Sequence, residues 1–166
     1  MMKPLFIAAS ILALLPWIGR DPDVSTHRVG HWTLTASTDR FSKSTDCKII
    51  NKDISIINGV ALFHFAKTTD TSQAIYKIDE EGPFSAADDE LAVAHAGLSL
   101  YSDDLTNTSG GVVRLPASKI SNAHRLRIEL APHTKPRTFD VSGVKDVIEL
   151  ARQFECKGYL SGAKRP

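Results

Sequence analysis

Apolar and polar positions alternate in several stretches of this chain, as they do in strands that bury one face. In HWTLTAS, residues 31–37, Trp32, Leu34 and Ala36 fall on one side and Thr33 and Thr35 on the other, which predicts a half-buried strand. The run ISIINGVALFHF, residues 54–65, carries the sharpest local signal. Its Asn58-Gly59 pair supplies the two positive-φ positions of a type I′ turn, so a hairpin is expected with Ile57 opposite Val60. That register places Ile54, Ile56, Ala61, Phe63 and Phe65 on a core face. Ser55, Ile57, Val60, Leu62 and His64 take a mixed, partly covered face.

Further strands are predicted at SQAIYKID (72–79), VVRLP (112–116), HRLRIEL (124–130) and RTFDV (137–141). In HRLRIEL, Leu126, Ile128 and Leu130 face inward and Arg125, Arg127 and Glu129 outward. DEEGPFSAADDE, residues 79–90, reads as an acidic loop in which Ser85 and Asp88 form a capping box for a short helix to about Ala96. LAVAHAGLSLY, which overlaps that helix, fits helix and strand equally, leaving 85–100 open between the two. At the other end the period changes to that of a helix. Val144, Val147, Ile148, Ala151 and Phe154 form one apolar stripe, with Ser142 as the expected N-cap and Asp146 favourable in the first turn. Mostly strands followed by one amphipathic helix imply a mainly β, α+β fold. The expected form is an antiparallel β-sandwich or barrel-like sheet with a docked C-terminal helix.

The first residues follow another pattern. Lys3 precedes an apolar run from Leu5 to Ile18, about 21 Å long as a helix against the roughly 30 Å of a bilayer core. Pro16 would break such a helix near its end. Residues 1–19 are therefore expected to be a secretory signal peptide, with an uncleaved anchor as the alternative. Residues 27–160 then form a single β-rich domain, and 161–166 a flexible tail. Periplasmic or secreted localisation follows, with no stable membrane span once the signal is removed.

Charge narrows the partners. Lys3 is the one charge in the leader, so the rest of the chain carries 19 basic against 19 acidic residues. A balanced chain has no field with which to hold phosphate backbones, so nucleic acid is not an expected partner and another envelope protein is. The chain has two cysteines, Cys47 and Cys156. In an exported protein such a pair is read as one structural disulfide. It would tie the end of the last helix to the early part of the sheet.

Candidate chemistry is sparse. The sequence contains no G-x-S-x-G elbow, Walker loop, G-x-G-x-x-G or H-E-x-x-H. His27 and His31 are four apart but span Gly30, and the segment reads as a solvated approach to the first strand rather than a metal pair. His64 and His95 are candidate bases for a small hydrolase, were folding to bring acids beside them. Asp79, Glu80, Glu81, Asp88, Asp89 and Glu90 lack the ligand alternation of a calcium loop and read as a solvated acidic stretch. Arg114, Arg125 and Arg127 would make an anion site if their strands were neighbours, and otherwise an outward face. No cofactor, metal or catalytic residue is assigned, and the ligand site is unknown.

Trp32-x-Leu34 opening the domain, Cys47 soon after, and Phe139-x-Val141-x-Gly143 before an amphipathic helix together resemble the invasion-associated locus B family of exported alphaproteobacterial proteins. These features bracket most of the chain beyond the leader. The family pattern carries a further cysteine just after the opening Trp, where this chain has Ala36. The resemblance implies a periplasmic, non-catalytic, β-rich protein, and it transfers no set of active residues. The reading is thus a non-catalytic binding or envelope-associated module, with a small hydrolase using a His/acid constellation as the alternative.

Overall fold

The computed structural model describes residues 23–89 and 111–159. The leader at 1–19, the tail at 161–166, Glu90, His95 and the helix-or-strand question beyond residue 89 lie outside them.

Among the described residues ten strands form two antiparallel sheets. The larger has the order β1-β2-β3-β4-β5-β8, from β1 (Asp23–Val29), β2 (Trp32–Thr38), β3 (Thr45–Asn51), β4 (Ile54–Ile57), β5 (Val60–His64) and β8 (Val112–Pro116). The smaller has the order β10-β9-β6-β7, from β6 (Ile75–Ile78), β7 (Glu81–Ser85), β9 (Arg125–Glu129) and β10 (Arg137–Asp140). A short helix α1 (Ala117–Ile120) follows β8, and α2 (Val144–Gln153) follows β10. Both sheets contribute side chains to one core, as in a sandwich, and no closed barrel forms among the described residues. The fold is mainly β with a docked C-terminal helix.

The hairpin is built as its sequence predicts. Ile57 pairs with Val60, and Asn58 and Gly59 have φ of 49° and 81°. Ile54, Ile56, Ala61 and Phe63 are buried in the common core, with Phe65 half-buried beside it. The second face is more covered than expected, since Val60 and Leu62 are also fully buried. The unbroken run VALF fits a strand enclosed on both faces better than alternation does.

Three elements depart from the sequence reading. Residues 23–29 form a strand, so ordered structure is already present ahead of residue 27 and His27 lies within β1. This edge strand half-buries one face only, which is why DVSTHRV reads as polar. Cys47 sits on β3, whose burial alternates perfectly along TDCKIIN, rather than in the connection ahead of the hairpin. Glu81–Ser85 is the edge strand β7 rather than loop, because Pro83, which has no N–H to give a ladder, is tolerated at a sheet edge.

The helix is capped differently too. Gly143, at φ 77°, occupies the N-cap of α2, and no side chain caps it. Ser142 instead anchors the approach to the helix. Its N–H donates to Asp140 Oδ1 at 3.0 Å, its Oγ to the His124 carbonyl, and its own carbonyl accepts the Trp32 indole N–H at 2.7 Å. The apolar stripe is as predicted, with Val144, Val147, Ile148 and Ala151 buried and Phe154 packed against the core.

Past α2 the chain is fastened twice. Cys47 and Cys156 are bonded with Cα atoms 5.5 Å apart, and Lys157 N–H donates to the Thr45 carbonyl at 3.0 Å. Gly158 then passes over the hairpin turn. A Cβ there would stand 2.6 Å from the Asn58 backbone, so only glycine permits this approach.

Candidate functional site

The groups singled out by sequence are dispersed by the fold. His27 packs on Phe154 with ring centroids 4.5 Å apart, while His31 sits in the β1–β2 turn beside Trp32. They do different work. Arg114 lies on β8 of the larger sheet and Arg125 and Arg127 on β9 of the smaller, so these three do not form an anion site. Arg127 stands opposite Lys77 and Thr138.

The acidic stretch is divided as well. The Asp79 carboxylate accepts the backbone N–H groups of His124 and Arg125, the latter at 2.8 Å, so it caps the start of β9. Glu80 bridges Arg125 and Arg127 at 3.3 and 3.2 Å on an exposed surface. Asp89 turns inward. Among the described residues no group of three or more His, Cys, Asp or Glu side chains could hold a metal ion.

His64 and Ser55 meet across β4 and β5, with Nε2 2.9 Å from Oγ. The two are diagonal neighbours on the outward face of the hairpin, because Ser55 pairs with Leu62. Cross-strand diagonals within reach of a long side chain form such polar pairs as part of a sheet surface.

Asp89, only 4% exposed, anchors a polar cluster inside the smaller sheet's flank. It accepts the Tyr76 hydroxyl and pairs with Lys119 Nζ at 2.5 Å, and Lys119 also donates to the Tyr76 oxygen at 3.1 Å. The ammonium lies 5.9 and 5.8 Å from the Tyr76 and Phe84 ring centroids. A carboxylate this deep is tolerable only when its oxygens are paired, and both are. The cluster ties β6, the helical turn at 86–89 and α1 together. Burial, then the Asp89 hydrogen bond, raises the Tyr76 hydroxyl to about 12, and the same carboxylate raises Lys119.

This cluster gives a pH-resolved test. Tyr76→Phe removes a hydrogen bond to a charged group and is expected to lower stability at neutral pH by about 1.5–3 kcal/mol. A folded-state value above the unfolded one contributes stability that is complete below pH 10 and lost as pH rises toward 12. The wild type should therefore lose stability across that interval faster than Tyr76→Phe, measured by urea unfolding at stepped pH. Equal slopes would show that the Asp89 bond does not hold the phenol.

Two clefts among the described residues are lined by several polar side chains. One of about 340 Å³ is lined by His31, Lys52, Asp53, Arg137 and Asp140 among others. Its charges are mutually compensated. Arg137 pairs with Asp53 and covers the Phe139 ring at 4.9 Å, and the Ser142 N–H holds the Asp140 carboxyl below its ordinary value, with His31 and Lys52 adding to the effect.

The other, of about 440 Å³, lies between the hairpin turn, α1, α2 and the segment after Cys156. Its walls carry Ser118, Ser121 and Asn122 on one side, Lys145, Ile148 and Arg152 on the other, and Tyr159 with Gly59. Among the described residues the ionisable side chains along it are two cations and a tyrosine, with no carboxylate. Its size is that of a small-molecule site. The sequence marked none of these residues as a ligand site, although Gly59 was read as a turn residue and Ile148 as part of the helix stripe. Lys145, Ile148 and Arg152 do share a helix flank at spacings of three and four, but what they face depends on the Gly158 crossing, which leaves no local pattern.

Comparison with protein-family models, with curated proteins and with solved structures finds no match to this chain.

Proposed function

We propose that this chain is an exported, periplasmic binding module without catalysis, related to the invasion-associated locus B proteins. The observation that carries the reading is the Cys47–Cys156 bond, both of whose residues are buried in the core. Such bonds persist in oxidising compartments, and the Lys3 and Leu5–Ile18 pattern supplies the export signal that would take the chain there. Among the described residues no helix is long and apolar enough to cross a membrane, which accords with a domain released or tethered outside. An envelope protein or a small ligand is the expected partner class.

The hydrolase alternative rests on the Ser55–His64 contact. Ser55 is 7% exposed, however, and neither residue lines the two clefts described above, so the pair favours a structural role.

Fractionation of cells expressing the full chain should place the protein in the periplasm or envelope, with an intact mass lacking the leader or, if anchored, retaining it. A full-length protein in the soluble cytoplasm would overturn the proposal.

A further inference from the structure

The cleft between α1 and α2 combines two properties. Its lining charge is of one sign, from Lys145 and Arg152. Arg152 is held in place, its Nε donating to the Tyr159 carbonyl at 3.2 Å and its Nη1 to Glu149 at 2.8 Å, so its planar fork has a fixed direction. Glu149 offsets part of that charge, while Lys145 has no ion-pair partner among the described residues.

The second property is an apolar wall. Ile148, Ala117 and Pro116 stand beside the cations, with Ile148 7% and Ala117 2% exposed. An inorganic ion would leave that wall unused.

Tyr159 also lines the cleft, but its hydroxyl oxygen is buried away from solvent near the Gly59 backbone N–H, and burial raises the group.

We propose that this cleft binds a small organic anion, a carboxylate, phosphate ester or sulfonate carrying an apolar body. Lys145 and Arg152 hold the anionic head, Ser118, Ser121 and Asn122 offer neutral hydrogen bonds, and the apolar body lies on Ile148. The assignment deepens the binding reading and rests on it for the absence of chemistry, but not on the compartment.

The test is a titration of isotope-labelled oxidised protein, read by backbone amide shifts, with octanoate, octanol and inorganic phosphate as separate probes. Octanoate is expected to shift Gly59, Ser118, Ser121, Asn122, Lys145 and Arg152 with a dissociation constant on the order of 1 mM or tighter. Octanol and phosphate should each bind at least about fivefold more weakly, since each lacks one half of the recognition. Lys145→Gln should weaken octanoate about two- to fivefold, as loss of one partly exposed charge contact does.

Octanol binding as well as octanoate would overturn the anion assignment, and phosphate binding as well would overturn the organic one. Shifts centred on His31 and Arg137, or none, would overturn the site. Each of these failures leaves the periplasmic reading standing, since fractionation tests that separately.

Discussion

Replacing both cysteines, as Cys47→Ser with Cys156→Ser, is expected to lower the free energy of unfolding by about 4–5 kcal/mol. The bond joins residues 109 apart in sequence, and closing so long a loop removes much of the freedom of the unfolded chain. At the usual scaling this is a fall in melting temperature of the order of 15 °C. The serine hydroxyls add a cost of their own, since Cys47 and Cys156 are 4% and 0% exposed. Comparing the double mutant with reduced wild type separates the two contributions. The fold should survive the loss, because Lys157 still bonds to Thr45 and α2 still buries Val144, Val147, Ile148 and Ala151. Oxidised protein should show no free thiol before reduction and two after reduction and unfolding. Two freely titrating thiols in protein isolated without reductant, or an unchanged melting temperature in the double mutant, would remove the bond from the account of stability.

The same bond shows where local patterning stops being informative. The sequence reading reached the pairing through compartment and count, and placed it between the helix end and the early sheet without identifying the strand that carries Cys47. What brings them together is β3, a strand whose alternating burial in TDCKIIN was present in the sequence but masked by the polar run before it. Strong periods were readable wherever an element has one wet face, as in Trp32, Leu34 and Ala36 or the stripe on α2. Edge elements were not. β1 and β7 have few inward positions, and their backbone pairing, rather than their side chains, makes them strands. The cap of α2 was misplaced for a related reason, since Ser142 has the right chemistry for an N-cap but spends it on His124 and Asp140.

The candidate site was hidden more completely. A cleft formed by a hairpin turn, two helices and a terminal segment draws on residues from Gly59 to Tyr159. No window of sequence contains both. Its one local trace is the flank Lys145-Ile148-Arg152, which by itself is the ordinary border between the apolar stripe and the solvated side of a helix. The acidic stretch misled in the opposite direction. Its like charges suggested a shared role, yet Asp79, Glu80 and Asp89 each found a different partner, because an unpaired carboxylate cannot be buried and a paired one can.

The hairpin is where sequence and structure agree most closely, and it sets the remaining prediction. Phe63 is fully buried at the middle of β5, opposite Ile54 on one side and Val113 on the other. Its ring meets Phe139 of the facing sheet edge-on at 5.1 Å, so it is a direct link between the two layers. Phe63→Ala should cost about 3–5 kcal/mol, combining lost burial with the cavity left where the sheets cannot close together. Urea unfolding should show a lower midpoint with an unchanged slope, the sign of lost stability without a change in the surface exposed. Phe65→Ala should cost less, since that side chain is half-buried and meets Phe139 at 5.6 Å from the rim. A double-mutant cycle between Phe63 and Phe139 should return about 0.5–1.5 kcal/mol of coupling for the ring pair beyond area alone. A loss below about 1 kcal/mol on truncating Phe63 would mean that the hairpin faces are reversed and that the sheets meet through other residues. Ile54, Ile56 and Ala61, which share its face, would then have to leave the core with it.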